Sequence, residues 1–228
     1  MADIRPFRAL RPNPELAAKI CELPYDVMSS EEAREVAAGN PISFLHVSKP
    51  EIDLPKDTNP HDPSVYAKAR ENFDRLIADG ALRKDSSSRY YLYRLIMEGH
   101  EQTGLVAAAS CRDYDEGVIK KHELTRPVKE DDRVRHMESL DSQTGPVFLT
   151  YEARPDFDAF VAKLCDRPSA VDFMASDGVR HTSWVVDLED EIEFVRTTFA
   201  GMSALYVADG HHRSAAASRV NQSRQGEG

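Results

Sequence analysis

Cysteine is scarce: Cys21, Cys111 and Cys165 are the only three in 228 residues, and none stands in a Cys-x-x-Cys pair. That spacing excludes a disulfide scaffold or zinc knuckle and leaves three thiols to pack as small hydrophobes in or near the core. Long apolar runs are missing too. No segment approaches the roughly 18 uninterrupted apolar residues of a membrane helix, and Met1-Ala2-Asp3-Ile4-Arg5-Pro6 lacks the apolar core of a signal peptide. A cytoplasmic protein with no membrane partner is expected. The third absence is a basic excess. With 29 Lys and Arg against 39 Asp and Glu the net charge is −10, which argues against a nucleic-acid partner, because such binding rests on neutralising many phosphates. The basic stretches at 89–94 and Lys120-Lys121-His122 have neither the density nor the aromatic interleaving of a nucleic-acid track. A small anionic or amino-acid ligand needs only a local pocket, and the acidic total does not exclude it.

The chain shows neither internal repeats nor low-complexity segments, and its length suffices for one substantial core or two small ones. Residues 1–30 read as irregular and Pro-punctuated, with a short helix at 31–38 ending at Gly39-Asn40-Pro41 and a strand at 42–47. Four prolines at 48–63 mark a surface loop. Asp62-Pro63 opens the clearest helix, 64–79, with Val65, Tyr66, Ala69, Phe73, Leu76 and Ile77 on one face. Strands at 89–97 and 103–113 form a hairpin across 98–102, followed by a strand at 118–123 and a charged helix at 129–140 with Val134, Met137 and Leu140 inward. A strand at 146–151 and a helix at 156–165 come next. Strands at 171–175 and 179–187 join across Asp177-Gly178, and a helix spans 189–199. Hairpins with interspersed helices predict an α+β fold: a mixed, largely antiparallel sheet with packed helices. Residues 1–228 read as a single unit, with 152–170 the weakest place to cut.

The richest chemistry stands near the end, in Leu205-Tyr206-Val207-Ala208-Asp209-Gly210-His211-His212-Arg213-Ser214 followed by alanines. An apolar run broken at Asp-Gly before an alanine-rich segment reads as strand, tight turn, helix. The first turn of a helix offers unpaired N–H groups at the positive end of its dipole, and glycine removes a Cβ that would hold a phosphate off. His211, His212 and Arg213 add donors at the same place. The plainer account is Asp209 as a cap, Gly210 as the turn and three solvated basic residues.

Ala208-Asp209-Gly210-His211-His212-Arg213 resembles the Gly-x-x-Arg turn of the ParB/sulfiredoxin superfamily, which includes free-serine kinases and in which the turn holds nucleotide phosphates. A wider resemblance rests on six landmarks in order: Pro24-Tyr25-Asp26-Val27, Asn40-Pro41 with Phe44-Leu45-His46-Val47, Lys121-His122-Glu123-Leu124-Thr125, Glu130-Asp131-Asp132-Arg133, Gly145-Pro146-Val147-Phe148 and the Asp-Gly-His-His-Arg turn. On these the chain is identified as a member of the bacterial and archaeal family of unknown function numbered 1015. Members of that family are commonly longer, so the chain is expected to be the N-terminal portion of a longer protein, with a polar tail at 221–228.

Two further clusters carry chemistry. In Lys120-Lys121-His122-Glu123, a Glu near phosphates could deprotonate a hydroxyl or help hold Mg²⁺, and His122 could shuttle a proton. On a strand the two alternate faces, so only one looks into a given cleft; a solvated strand end is the plainer reading. Pro24-Tyr25-Asp26-Val27 makes a rigid corner that either aims Asp26 into a pocket or caps the helix after Ser29-Ser30. In the charge run from Arg126, Arg133 is the choice for a phosphate or carboxylate clamp. His46, His100, His136 and His181 read as structural or solvated. Together with the resemblance, these residues imply a phosphotransferase: Gly210 to Ser214 hold ATP, ADP or pyrophosphate with Mg²⁺, Asp209 organises the turn, and Glu123 or Asp26 is the base for a small hydroxyl acceptor, free L-serine first. A nucleotide-dependent regulatory switch and a metal-dependent hydrolase using His211, His212 and His122 are the alternatives.

Overall fold

A computed structural model of the chain describes residues 1–225, which form an α+β structure in two compact units. The first unit takes residues 1–18, 83–120 and 149–206; the second takes 19–82, 121–148 and the segment from 207 onward. Among the described residues no helix is long and apolar enough to cross a membrane.

The first unit is built on a four-stranded antiparallel sheet in the order His100–Val106, Tyr90–Met97, Arg180–Val186, Val171–Met174. Cross-strand pairing sets buried Leu92 opposite buried Trp184, and the Arg94 guanidinium covers the indole at 4.7 Å. The first hairpin turns within two residues, Glu98 and Gly99, both at positive φ (50° and 83°), which matches the twist of the strands. Its second strand stops at Val106, short of the expected 113. Ser110 instead caps a short helix, Cys111–Asp115, by accepting the Asp113 N–H at 3.3 Å. Helices Pro155–Cys165 and Glu189–Ala200 meet through Phe157, whose ring stands edge-on to Phe199 at 5.3 Å. Phe157 is fully buried, and such a side chain contributes about 2–3 kcal/mol. The irregular start contains two short strands, Ile4–Arg5 and Leu10–Pro12, because partners distant in sequence pair with them.

The second unit is mostly helical. Ser30–Ala37 begins with a capping box in which Ser29 Oγ accepts the Glu32 N–H and Glu32 accepts the Ser29 N–H. Pro63–Ala78 is capped by Asp62 and buries Val65, Tyr66, Ala69, Phe73 and Leu76, whereas Ile77 faces outward. Pro127–Leu140 packs on His211–Gln225 through Met137, Ala216 and Val220, with Val134 partly buried beside them. The final helix thus reaches Gln225, past the expected start of the tail, and 226–228 lie outside the described residues.

Two expected strands change. The segment 42–47 is not extended: Leu45–Ser48 is a helical turn, started by Ser43 Oγ accepting the Leu45 N–H at 3.2 Å. Leu45 and Val47 are both fully buried there, and that burial overrides the β-propensity of the sequence. The loop after it also folds inward, with a 3₁₀ turn at Pro50–Asp53 that buries Pro50 and Ile52. The strand expected at 118–123 is only Ile119–Lys120, pairing in parallel with Leu205 and Tyr206, and the chain beyond it is a loop.

Candidate functional site

The strand Leu205–Asp209 alternates buried Leu205 and Val207 with exposed neighbours, then breaks at Gly210. Gly210 sits at φ 94°, in the left-handed region that glycine alone adopts without strain, and the helix begins at the next residue. A Cβ built on Gly210 would lie 3.2 Å from Cζ and Nε of Arg213, and one on Gly145 would lie 3.0 Å from Arg213 Cδ. The two glycines therefore clear space for the arginine. Its guanidinium donates to the Asp209 carboxylate and to the Pro146 carbonyl, leaving the side chain only 17 % exposed. Ser214 opens the helical ladder, its N–H reaching the Gly210 carbonyl at 2.9 Å and its hydroxyl donating to the same oxygen at 3.1 Å. The amides of His211, His212 and Arg213 precede that ladder and have no intrahelical acceptor.

The loop after Lys120 comes to this turn. His122 packs edge-on against His211 with ring centroids 4.4 Å apart, and a Glu123 carboxylate oxygen lies 3.8 Å from His211 Nδ1. Because the strand ends at Lys120, the alternation that would send His122 and Glu123 to opposite faces does not operate, and both reach His211. His212 Nε2 accepts the Arg126 N–H at 3.1 Å, which fixes that nitrogen as the unprotonated one and ties the loop to the helix. His211 is 5 % exposed and its Nε2 has no hydrogen-bond partner among the described residues. A buried polar atom left without a partner is costly and marks a place where a ligand or water is needed.

The corner at Pro24 brings the third segment. Ser29 caps the following helix, so Asp26 is not used as a cap. Tyr25, Asp26 and Glu123 border a cleft of about 90 Å³ with the Asp209–Arg213 turn, and every residue of that lining belongs to the second unit. His122, Ser214 and Arg133 are outside that lining, and each contacts one of its residues: His211, Gly210 and Tyr25 respectively. Arg133 donates to Asp132 through Nε at 2.9 Å and lays its guanidinium 4.1 Å over the Tyr25 ring. Burial alone would raise the Asp132 carboxyl, but Arg133 and the Tyr66 hydroxyl (2.8 Å) bring it below the ordinary carboxylate range. A wider hollow of about 300 Å³ lies in the first unit beside Phe160 and Phe194, but its Arg167 and Glu191 are already bonded to each other. Among the described residues no three His, Cys, Asp or Glu side chains are grouped to hold a metal ion.

Sequence reasoning did not single out Tyr25 or the Arg126–His212 link. The first sat in plain view inside Pro-Tyr-Asp, whereas a backbone amide 86 residues from its acceptor leaves no sequence signal.

Arg213→Ala is expected to destabilise the fold by about 1–2 kcal/mol, through the lost charge-assisted bond to Pro146 and the lost packing on the two glycines. The Asp209 pair adds little, because that carboxylate is 71 % exposed. Arg213→Lys should lie between. Urea unfolding of the three proteins reads the difference, and an unchanged midpoint in the alanine variant would show that these contacts hold nothing in place.

Among curated proteins and among solved structures, no match to the chain is found. One family does match, over residues 4–228 and hence nearly the whole length, and its description is protein of unknown function (DUF1015). The match covers far more than half of the chain, and the chain belongs to that family.

Proposed function

We propose that the second unit carries a phosphotransferase site, which passes a phosphoryl group from ATP, ADP or pyrophosphate to the hydroxyl of a small metabolite, with free L-serine the leading acceptor. The reading is supported by one observation: Asp26, Glu123 and the Asp209–Arg213 turn, from three separate segments, border one cleft. The turn is similar to the ParB/sulfiredoxin phosphate turn, and the open amides and dipole of a helix start suit an anion. At about 90 Å³ the cleft is far below the roughly 300–1,000 Å³ of pockets that enclose whole ligands. It fits a phosphoryl group, with the rest of the donor outside.

In this reading the amides after Gly210, with His211, His212, Arg213 and Ser214, hold the donor phosphates. Glu123 takes the proton of the acceptor hydroxyl, the acceptor oxygen bonds to phosphorus, and the P–O bond to the leaving phosphate breaks with its electron pair going to that leaving group. His211 stabilises the carboxylate beside it, His122 packs the imidazole in place, and Asp26 faces the acceptor. Three carboxylates border the cleft against one arginine, so a bare polyphosphate would meet repulsion. Mg²⁺ would supply the missing positive charge when bound, and Asp26 and Asp209 would be the oxygen donors for it, in keeping with its habit of taking one or two carboxylates plus phosphate.

Incubation of the protein with each donor and Mg²⁺, with and without L-serine or a panel of small alcohols, followed by phosphorus NMR, tests this directly. Donor consumption that requires an acceptor is the expected result. Consumption or binding indifferent to acceptor would make the site a nucleotide switch, and neither would overturn the reading.

A further inference from the structure

We propose that the Tyr25 hydroxyl is a hydrogen-bond donor to the phosphate group held in this cleft, and that Arg133 is the residue that positions it. The inference rests on the phosphate-binding part of the function proposed above and adds a ligand contact from outside the glycine turn.

Tyr25 is gripped by its ring and free at its tip. The Arg133 guanidinium lies over the ring at 4.1 Å, a cation–π stack, and it is itself tethered. Two of its nitrogens donate to Asp132, and Asp132 is pinned from the other side by the Tyr66 hydroxyl at 2.8 Å and by His61 Nδ1 at 3.3 Å. Pro24 before it fixes one backbone angle of the corner. The ring is thus located by a chain of contacts reaching back into the Pro63–Ala78 helix, whereas the hydroxyl makes no hydrogen bond to any described residue, and Tyr25 is one of the residues that border the cleft. Burial raises the phenol above its ordinary value, which keeps the proton on oxygen and makes the group a donor towards an anion. A located donor with no partner is the arrangement that stabilises charge without reorganisation.

Arg133 acts through the ring, so its contribution should vanish when the hydroxyl does. Calorimetric titration of Mg²⁺-pyrophosphate into wild type, Tyr25→Phe, Arg133→Met and the double variant reads this. Tyr25→Phe keeps the ring and its stack and is expected to bind about ten- to a hundredfold more weakly, the range of a hydrogen bond to a charged group. Arg133→Met should weaken binding in the tyrosine background and change nothing in the phenylalanine background, a coupling that loss of structure would not produce. Equal affinity of wild type and Tyr25→Phe overturns the inference, as does an Arg133→Met penalty of the same size in both backgrounds. Wild type that binds pyrophosphate but transfers no phosphoryl group to any acceptor would remove the phosphotransferase reading alone and leave the tyrosine contact standing. Wild type that binds no pyrophosphate removes both.

Discussion

Glu123→Gln is expected to lower acceptor-dependent phosphoryl transfer by about 100-fold or more while leaving donor affinity and folding nearly unchanged. A positioned base contributes on the order of 10²–10⁴-fold, and glutamine keeps the size of the side chain while removing its ability to accept a proton. Folding should be indifferent because Glu123 is 62 % exposed and its nearest charged neighbour, His211 Nδ1, is 3.8 Å away, beyond hydrogen-bonding reach. Asp26→Asn belongs in the same experiment, since both carboxylates border the cleft. If Glu123→Gln retains turnover within threefold of wild type while Asp26→Asn loses it with Mg²⁺-pyrophosphate affinity unchanged, the base is Asp26 and the loop after Lys120 serves only to support His211.

Stability should fall as pH drops from about 6.5 to 4, by roughly 3 kcal/mol in all, and His136 should be the reason. Its imidazole is buried on the Pro127–Leu140 helix, with Nε2 bonded to the Val47 carbonyl at 2.9 Å, and burial together with the nearby Arg133 charge pushes it down from 6.5 to about 4. Above pH 6.5 the ring is neutral in both folded and unfolded chains and the shift has no effect. Below it the unfolded chain takes up a proton that the folded one refuses, so each pH unit removes about 1.4 kcal/mol until the folded value is reached. Burial raises the Glu22 carboxyl above its ordinary value, and its proton uptake in the folded chain acts in the opposite sense, so the difference between wild type and a His136 variant carries the histidine's share. Urea unfolding of wild type and His136→Gln across that window should give a steep decline for the first and a flatter one for the second; parallel declines would assign the acid sensitivity elsewhere.

Much of the fold was legible where local chemistry is self-sufficient. Asp62-Pro63 announces a helix by cap and φ, Asp177-Gly178 announces a hairpin, and Asp209-Gly210 announces the strand-to-helix turn; all three stand in the structure. Legibility failed where a distant partner decides. Ile42 to Val47 has the composition of a strand, but Ser43 Oγ accepts the Leu45 N–H at the start of a helical turn and Leu45 packs with Ala33, Ala37 and Ile52. At the cleft the residue types were readable and their roles less so. Gly210 was expected to make way for a ligand, and the space it clears is filled by Arg213, three residues along the same chain. Arg133 was expected to clamp a phosphate or a carboxylate; it pairs with the Asp132 carboxylate and also lies over the Tyr25 ring. His136 gave no sign of its burial, because the Val47 carbonyl that satisfies it lies 89 residues away.

The interleaving of the two units sets a timetable for the chain's birth. The path passes from one unit to the other at 18/19, 82/83, 120/121, 148/149 and 206/207, so neither can be released as one continuous fragment by a single cut. A ribosome delivers Asp26 early and the Asp209–Arg213 turn roughly 180 residues later, a wait of about 10–40 s at 5–20 residues per second. For the last part of that interval, after Leu140 is made and before Ala216 and Val220 are, the Pro127–Leu140 helix lacks the residues that cover its Met137. The cleft can take its first ligand only after synthesis has passed the final glycine turn.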